Sequence, residues 1–302
     1  MVYSTITQFL RHGFQDGSQY QLAYERFRSH RLGMIGLGIV ILFALLALVG
    51  PYIAPRDPTA TDSSIRLMGP SLAHPFGTDH FGRDVLSRTI VGARASFQVA
   101  VFSVGLATLI GVPFGLISGY YRGYVDEGVM RMVDITLAFP SILLALVVIA
   151  ILGPGLNRAI LALGIAYTPL MVRITRGSAL SERENEYISA AVAYGQRNWK
   201  IMYKEMLPNI APTIMVQVTI TFAFAILVEA ALSYLGLSAQ PPTVTWGIMI
   251  AESQDNIVVN PWMNIMPGLV IIITVLGLTF LGIGLRDALD AKDKGAIGSD
   301  FQ

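Results

Sequence analysis

Apolar residues in this chain are gathered into long runs separated by polar stretches. A bilayer core of roughly 30 Å takes about 20 residues of helix. Five runs reach that length: Gly33 to Ile53, Ser96 to Tyr120, Val133 to Leu152, Ile210 to Leu237 and Met263 to Leu285. A sixth, Asn157 to Val172, is shorter and carries Pro169, so taken alone it fits a re-entrant segment as well as a span. The basic residues decide between the two. With six spans and the N-terminus inside, the inner side collects Arg11, Arg26, Arg28, Arg31, Arg122, Arg131, Arg173, Arg176, Arg183, Lys200, Lys204, Lys292 and Lys294 among others, an asymmetry that follows the positive-inside rule. Dropping the fourth span would carry Lys200 and Lys204 to the other side. The pattern therefore predicts an all-α integral membrane protein with six transmembrane helices and both termini cytoplasmic. The first apolar run begins only at Leu32 and is longer than the core of a cleavable signal, so it reads as a retained span.

Two connecting stretches are too long to be mere linkers, an outer one near 54–95 and an inner one near 173–209. A shorter outer segment, 238–261, carries Trp246, and with Trp262 just after it suits interfacial aromatic anchors. Within the inner stretch, Ser181 and Glu184 have capping-box spacing, which predicts a helix starting there and running through Tyr187, Ile188, Ala191 and Val192, with Gly195 to end it. A second short helix fits Asn198 to Met206, where Trp199, Met202, Tyr203 and Met206 recur at helical spacing, and Pro208 is expected to stop it. Such a pair makes either a knob presented to the cytoplasm or an amphipathic pair resting on the anionic lipid surface.

Composition narrows the function classes. Of 302 residues 53% are hydrophobic and only 14% charged, with a net charge of +1, so no basic excess is available for a nucleic-acid backbone. There is no cysteine, and the four histidines, His12, His30, His74 and His80, are scattered, which leaves no thiolate or converging metal site. Gly111, Gly115 and Gly119 form a small-residue stripe on the second span, suited to close helix packing. Glu229 sits within the apolar fifth span, where a carboxylate needs either a polar cavity or the outer interface, so it is a candidate translocation-pathway residue. Arg131 and Asp134 have the spacing of a local ion pair.

The run Glu186-Tyr-Ile-Ser-Ala-Ala-Val-Ala-Tyr-Gly195, followed by Met206-Leu-Pro-Asn209, resembles the EAA loop of ABC importer permeases. Ala190, Ala191, Gly195, Leu207 and Pro208 match it, whereas the usual glutamate before the two alanines is Ser189, with Glu186 one turn earlier. Three further runs narrow the resemblance to the second permease subunit of the dipeptide, oligopeptide and nickel importers: His74 to Arg88, Ala230 to Leu237 with Gln240-Pro-Pro and Trp246-Gly247, and Gly284 to Asp290, where Ile283 stands in place of a usual aspartate.

The resemblance implies a type I importer permease (MetI-like) fold in the cell inner membrane, forming half of a translocation pathway for peptides by alternating access. It implies a sister permease, two cytoplasmic ABC ATPase subunits that bind ATP and Mg, and an extracytoplasmic substrate-binding protein as partners. No phosphate-loop motif and no catalytic constellation occurs in the sequence, so this chain is expected to have no ATPase site and no cofactor of its own. The inner loop, with Glu186, Ser189, Ala190, Ala191, Gly195, Leu207 and Pro208, is expected to couple to the ATPases. Asp79, Arg83 and Asp84 are expected to form an outer-loop contact with the binding protein or the sister permease. The implied organisation is an N-terminal segment at 1–31, a first span with its outer loop at 32–95, a five-helix core at 96–285 and a tail at 286–302. Nickel complexes, glutathione-like peptides, opines and short oligosaccharides stay open as substrates. A secondary transporter and a membrane scaffold are the competing classes, and neither paired intramembrane charges nor an internal duplication favours the first.

Overall fold

In the computed structural model, residues 21–289 are described. Most of the expected N-terminal segment, with Arg11 and His12, and the tail with Asp290, Lys292 and Lys294 lie outside the described residues. Among the described residues there is no strand, only one antiparallel bridge between Thr78 and Asp84. Residues 21–29 are helical. They are followed by α1 (Arg31–Ile53), α2 (Val85–Tyr121), α3 (Gly123–Leu137), α4 (Ser141–Leu152), α5 (Leu156–Arg183), α6 (Glu186–Ala193), α7 (Asn198–Tyr234), α8 (Trp246–Ser253) and α9 (Trp262–Leu289).

Five of these, α1, α2, α5, α7 and α9, are each long and apolar enough to cross a bilayer. The short fourth run thus belongs to a full-length helix, because α5 continues eleven residues past Val172. The third run is not one straight span. It is divided at Ala138–Pro140 into α3 and α4, bent by 85°. Pro140 explains the break: it lacks an N–H and disfavours helical geometry in the residue before it. At 1.5 Å per residue α4 is only about 18 Å long, less than the hydrocarbon core. Helix α3 is tied sideways instead, through Arg176 and the Ser118 hydroxyl to Asp126 and through Arg173 to Asp134 at 2.5 Å. The expected Arg131–Asp134 pair is not formed. Arg131 pairs with Glu127 at 2.6 Å, one turn back, because Arg173 claims Asp134.

The centre of the subunit is the pairing of α2 with α5. A Cβ added at Gly111, Gly115 or Gly119 would come within 2.5–2.6 Å of the Cβ of Met171, Thr175 or Ala179 respectively. The glycine stripe therefore sets the distance between these helices, as its packing reading requires. Helix α5 has 56% of its apolar window buried, α1 only 17%, so α1 is a peripheral arm. It docks on α9 where Gly36 meets the backbone of Gly277 and Leu281.

Two helix boundaries depart from expectation. Helix α2 starts eleven residues before Ser96, because the Asp84 carboxylate caps it by accepting the Ser87 N–H at 2.8 Å and hydroxyl at 2.6 Å. Pro208 does not stop the second inner helix. Residues Ile201–Met206 widen into a π-helical turn, in which the Leu207 N–H bonds the Met202 carbonyl five residues back, and the chain continues unbroken to Tyr234. The wider turn relieves the crowding that the Pro208 ring would impose on the carbonyl four residues earlier.

The bundle thus has two faces. The near face carries the start of α1, the end of α9 and residues 184–206; the far face carries residues 54–84 and 235–261.

Candidate functional site

On the near face the chain from Glu184 to Asn209 folds as a helix, a turn and a second helix. The expected cap at Ser181 is not used: Ser181 lies in the last turn of α5, and α6 begins at Glu186 with Asn185 before it. The glycine contacts with α2, which reach Ala179, carry α5 past the local signal, and Arg122 then bonds Glu184 just beyond its end. That bond holds the Glu184 carboxyl below its ordinary value.

Gly195 ends α6. Its φ of +72° is left-handed, the Gln196 N–H bonds the Ala191 carbonyl at 3.1 Å, and the Gly195 N–H bonds the Val192 carbonyl at 2.9 Å, the paired bonds of a Schellman cap. The turn brings α6 back against α7, where Ile188 packs with Ile201, Met202 and Met206 in a small core shared with Leu116 and Tyr120 of α2. Polar ties fix the arrangement. The Tyr187 hydroxyl donates to Glu182 and accepts from Asn209 Nδ2 at 2.9 Å, and Gln196 Nε2 donates to Glu205 at 3.0 Å. Burial and the neighbouring Glu182 push the Tyr187 phenol above its ordinary value.

What the small core leaves outside includes several large apolar side chains among polar ones. Tyr194 is 87% exposed, Val192 53%, Trp199 50% and Tyr203 43%, and Ser189 and Ala190 lie on the same exposed surface. Of the predicted loop residues, Glu186, Ser189, Ala190 and Pro208 are exposed, Ala191 and Leu207 half-buried, and Gly195 forms the turn. An apolar patch rimmed by Arg197, Lys200 and Lys204, on a base braced by two spans, has the character of a protein-docking surface.

On the far face Asp79, Arg83 and Asp84 come together, but two of them point inward. Asp79 and Asp84 are each 3% exposed. Asp84 caps α2 and meets His74 Nδ1 at 2.9 Å. Asp79 takes the Phe81 and Arg83 N–H groups at 2.8 and 2.9 Å and Arg83 Nε at 2.5 Å, which pins the tight turn between them. Arg83 and Arg88 then converge on Glu252 of α8, at 2.8 and 2.6 Å. This cluster of two acids and two arginines joins the far-face loop, α2 and α8. Arg88 closes the His74 to Arg88 run, but its pairing with Glu252 escaped sequence reasoning because the two lie 164 residues apart and Glu252 has no local signature.

Glu229, the candidate pathway residue, is wholly buried within the subunit, so of the two settings open to it the outer interface does not apply. Its Oε1 accepts the Ser233 hydroxyl at 2.5 Å and faces that of Ser238 at 3.5 Å. Trp246 is not an interfacial anchor either. It has no exposed surface, donates its ring N–H to the Thr89 carbonyl at 2.9 Å, and stacks edge-on against Phe43 and Phe97. Such a depth is reached because the chain after α7 turns back into the bundle. Trp262 is 39% exposed at the start of α9.

The architecture is a bundle of helices long and apolar enough to cross a membrane, with a braced helix–turn–helix exposed beyond one face. Residues 111–294 match the family described as binding-protein-dependent transport system inner membrane component, and residues 18–70 match the N-terminal TM domain of oligopeptide transport permease C. The chain belongs to this family of ABC importer inner-membrane permeases. It is 44% identical to the dipeptide transport system permease protein DppC of Alkalihalophilus pseudofirmus, over 92% of this chain and 91% of that one. It is 39% identical to the di/tripeptide permease DppC of Pseudomonas aeruginosa, over 90% and 92%, and 40% identical to the glutathione permease GsiD of Pectobacterium atrosepticum, over 90% of each. Among solved structures, a chain of the inward-facing MetNI methionine ABC transporter superposes with a TM-score of 0.57 at 22% identity, covering 66% of this chain and 95% of that one. The fold is thus that of an importer permease.

Proposed function

We propose that this chain imports peptides as one of two dissimilar permeases in a complex with two cytoplasmic ATPases and an extracytoplasmic binding protein. The observation that carries the reading is the near-face docking surface: an exposed apolar patch held on a braced base outside the span region. In this reading the near face is cytoplasmic, as the basic residues favour, and the patch around Ser189, Ala190 and Tyr194 seats in the ATPases. ATP and Mg belong to those partners, because this chain has no phosphate loop. Closure of the ATPase pair shifts the permease only through contacts that differ between its two states, and the 186–208 segment supplies them.

The subunit supplies half of the path. A groove of about 290 Å3 between α7 and α9, lined by Phe224 and Thr279 among others, is a wall that a second permease completes. On the far face, Asp79 and Asp84 act from within by fixing the shape of the loop, and the loop so shaped is the surface offered to the binding protein or the sister permease. Peptides are the substrate class most consistent with the relatives' assigned cargo.

Mild detergent extraction of the tagged protein from its native membrane, with mass spectrometry of what remains bound, tests the assembly. Recovery of a second permease and of phosphate-loop ATPases is expected. Recovery of the chain alone, active in liposomes without ATP, would overturn it in favour of a secondary transporter.

A further inference from the structure

The family reading gives Glu229 no task, yet its setting is unusual. A carboxyl group buried at the depth of a membrane helix costs several kcal/mol unless its surroundings satisfy it. Here three hydroxyls, rather than a basic side chain, face it. Ser233 belongs to its own helix, Ser238 to the loop that follows, and Ser96 to α2. The Ser96 oxygen also accepts the backbone N–H of Trp246, at 3.4 Å, from the first turn of α8. Glu229 Oε2 has no hydrogen-bond partner among the described residues.

These contacts trace a re-entrant hairpin. After α7 ends at Tyr234, the chain turns at Gly236 and again between Gln240 and Thr243, and returns from Thr245 as α8. Trp246 lies beside Gly92 and Ser96, whereas Glu252, at the other end of α8, meets Arg88. Helix α8 therefore runs antiparallel to α2, with its first turn deep in the bundle. That turn is pressed onto α7 next to Glu229: a Cβ on Gly247 would lie 2.3 Å from the Ala230 carbonyl oxygen. The hairpin is fastened at its outward end by the Asp79–Arg83–Arg88–Glu252 cluster. At its deep end lies Glu229.

The geometry points to Glu229 as a positioning residue for transport, one that holds the re-entrant hairpin 238–253 in place through Ser238 and Ser96. This inference deepens the importer reading and rests on it only for the word transport; the hairpin itself can be probed without any uptake. Removal of the acceptor leaves Ser233 and Ser238 without their partner and frees the deep end of the hairpin, while the outward fastening stays.

Two variants separate acceptor from bulk. Glu229→Gln keeps an oxygen at the same reach, and Glu229→Leu keeps the volume without an acceptor. The complete complex is placed in lipid nanodiscs. With Trp199 and Trp262 of this chain and every tryptophan of the partner subunits replaced by Phe, Trp246 becomes the single tryptophan of the complex and reports the hairpin by iodide quenching. Uptake of labelled dialanine is measured separately, in proteoliposomes with native tryptophans. In Glu229→Leu, Trp246 is expected to become accessible to iodide and uptake to fall roughly tenfold, with partners still co-purifying and Glu229→Gln recovering most of both. A shielded Trp246 in Glu229→Leu, or full uptake despite an exposed Trp246, would overturn the inference. Absence of ATP-driven uptake in the unmodified complex would instead overturn the importer reading, while the quenching comparison still decides whether Glu229 holds the hairpin.

Discussion

The tight contact between α2 and α5 offers a sharp quantitative test at Gly115. A Cβ there would stand 2.6 Å from Thr175 Cβ and 2.7 Å from the Val172 carbonyl oxygen. To restore an ordinary contact near 3.4 Å the two helices must part by roughly 0.8 Å, and a backbone oxygen has no rotamer by which to retreat. Overpacking of this kind costs about 1–3 kcal/mol. Alanine also stabilises a helix interior by about 1 kcal/mol relative to glycine, which would mask part of the loss. Gly105, ten residues earlier on the same helix, removes that ambiguity, since a Cβ there meets nothing within 4 Å. The propensity gain is shared by Gly115→Ala and Gly105→Ala, so the difference between them isolates the steric cost. The two variants, reconstituted in mixed micelles and unfolded with SDS, are expected to differ by about 1–3 kcal/mol, one to two decades in the equilibrium constant. Equal midpoints would refute the claim that the glycine stripe sets the helix spacing.

Three further outcomes are expected. Gly195→Leu places a side chain at a φ of +72°, a cost of about 1–2 kcal/mol; co-purification of ATPases and ATP-driven uptake should both drop, Gly195→Asn being milder, and insertion of the spans should be unaffected. Glu252→Gln leaves Arg83 and Arg88 with Asp79 alone, and a loss on the order of 2–4 kcal/mol should appear as a lowered thermal midpoint, with Glu252→Asp partly restoring it. The Arg122–Glu184 bond lowers the Glu184 pKa, so its contribution is fully present above the ordinary value of 4.5 and is lost as pH falls through the lower folded-state value. Hydrogen exchange near residues 184–188 should therefore rise on acidification in the native chain but be pH-insensitive in Glu184→Gln, apart from the intrinsic exchange rate.

The spans were readable because hydrocarbon thickness imposes a length on any apolar run, and the left-handed turn at Gly195 because a helix stop is a local event. Direction was not readable. The run Val133 to Leu152 is as apolar across its bend as along a straight helix, and the bend is held by Arg173 and Arg176 from a different span. Long-range contacts also defeated two local signals: Arg173 took Asp134 from Arg131, and packing on α2 carried α5 through the cap expected at Ser181. Pro208 misled for a subtler reason, since a π turn absorbs a proline that would otherwise end a helix. The Asp79, Arg83 and Asp84 motif was visible as a motif, but Arg83 is also drawn to Glu252, which no spacing rule connects to it.

The unbroken course of α7 has a mechanical meaning. At 1.5 Å per residue the roughly 30 residue steps from Trp199 at the docking patch to Glu229 beneath the hairpin extend about 45 Å. Pivoted as one body, α7 is a lever: a tilt of about 5° at one end carries the other sideways by roughly 4 Å, enough to draw Glu229 away from its serine partners. In the proposed importer, a push delivered to the patch would reach the buried carboxyl through this one helix.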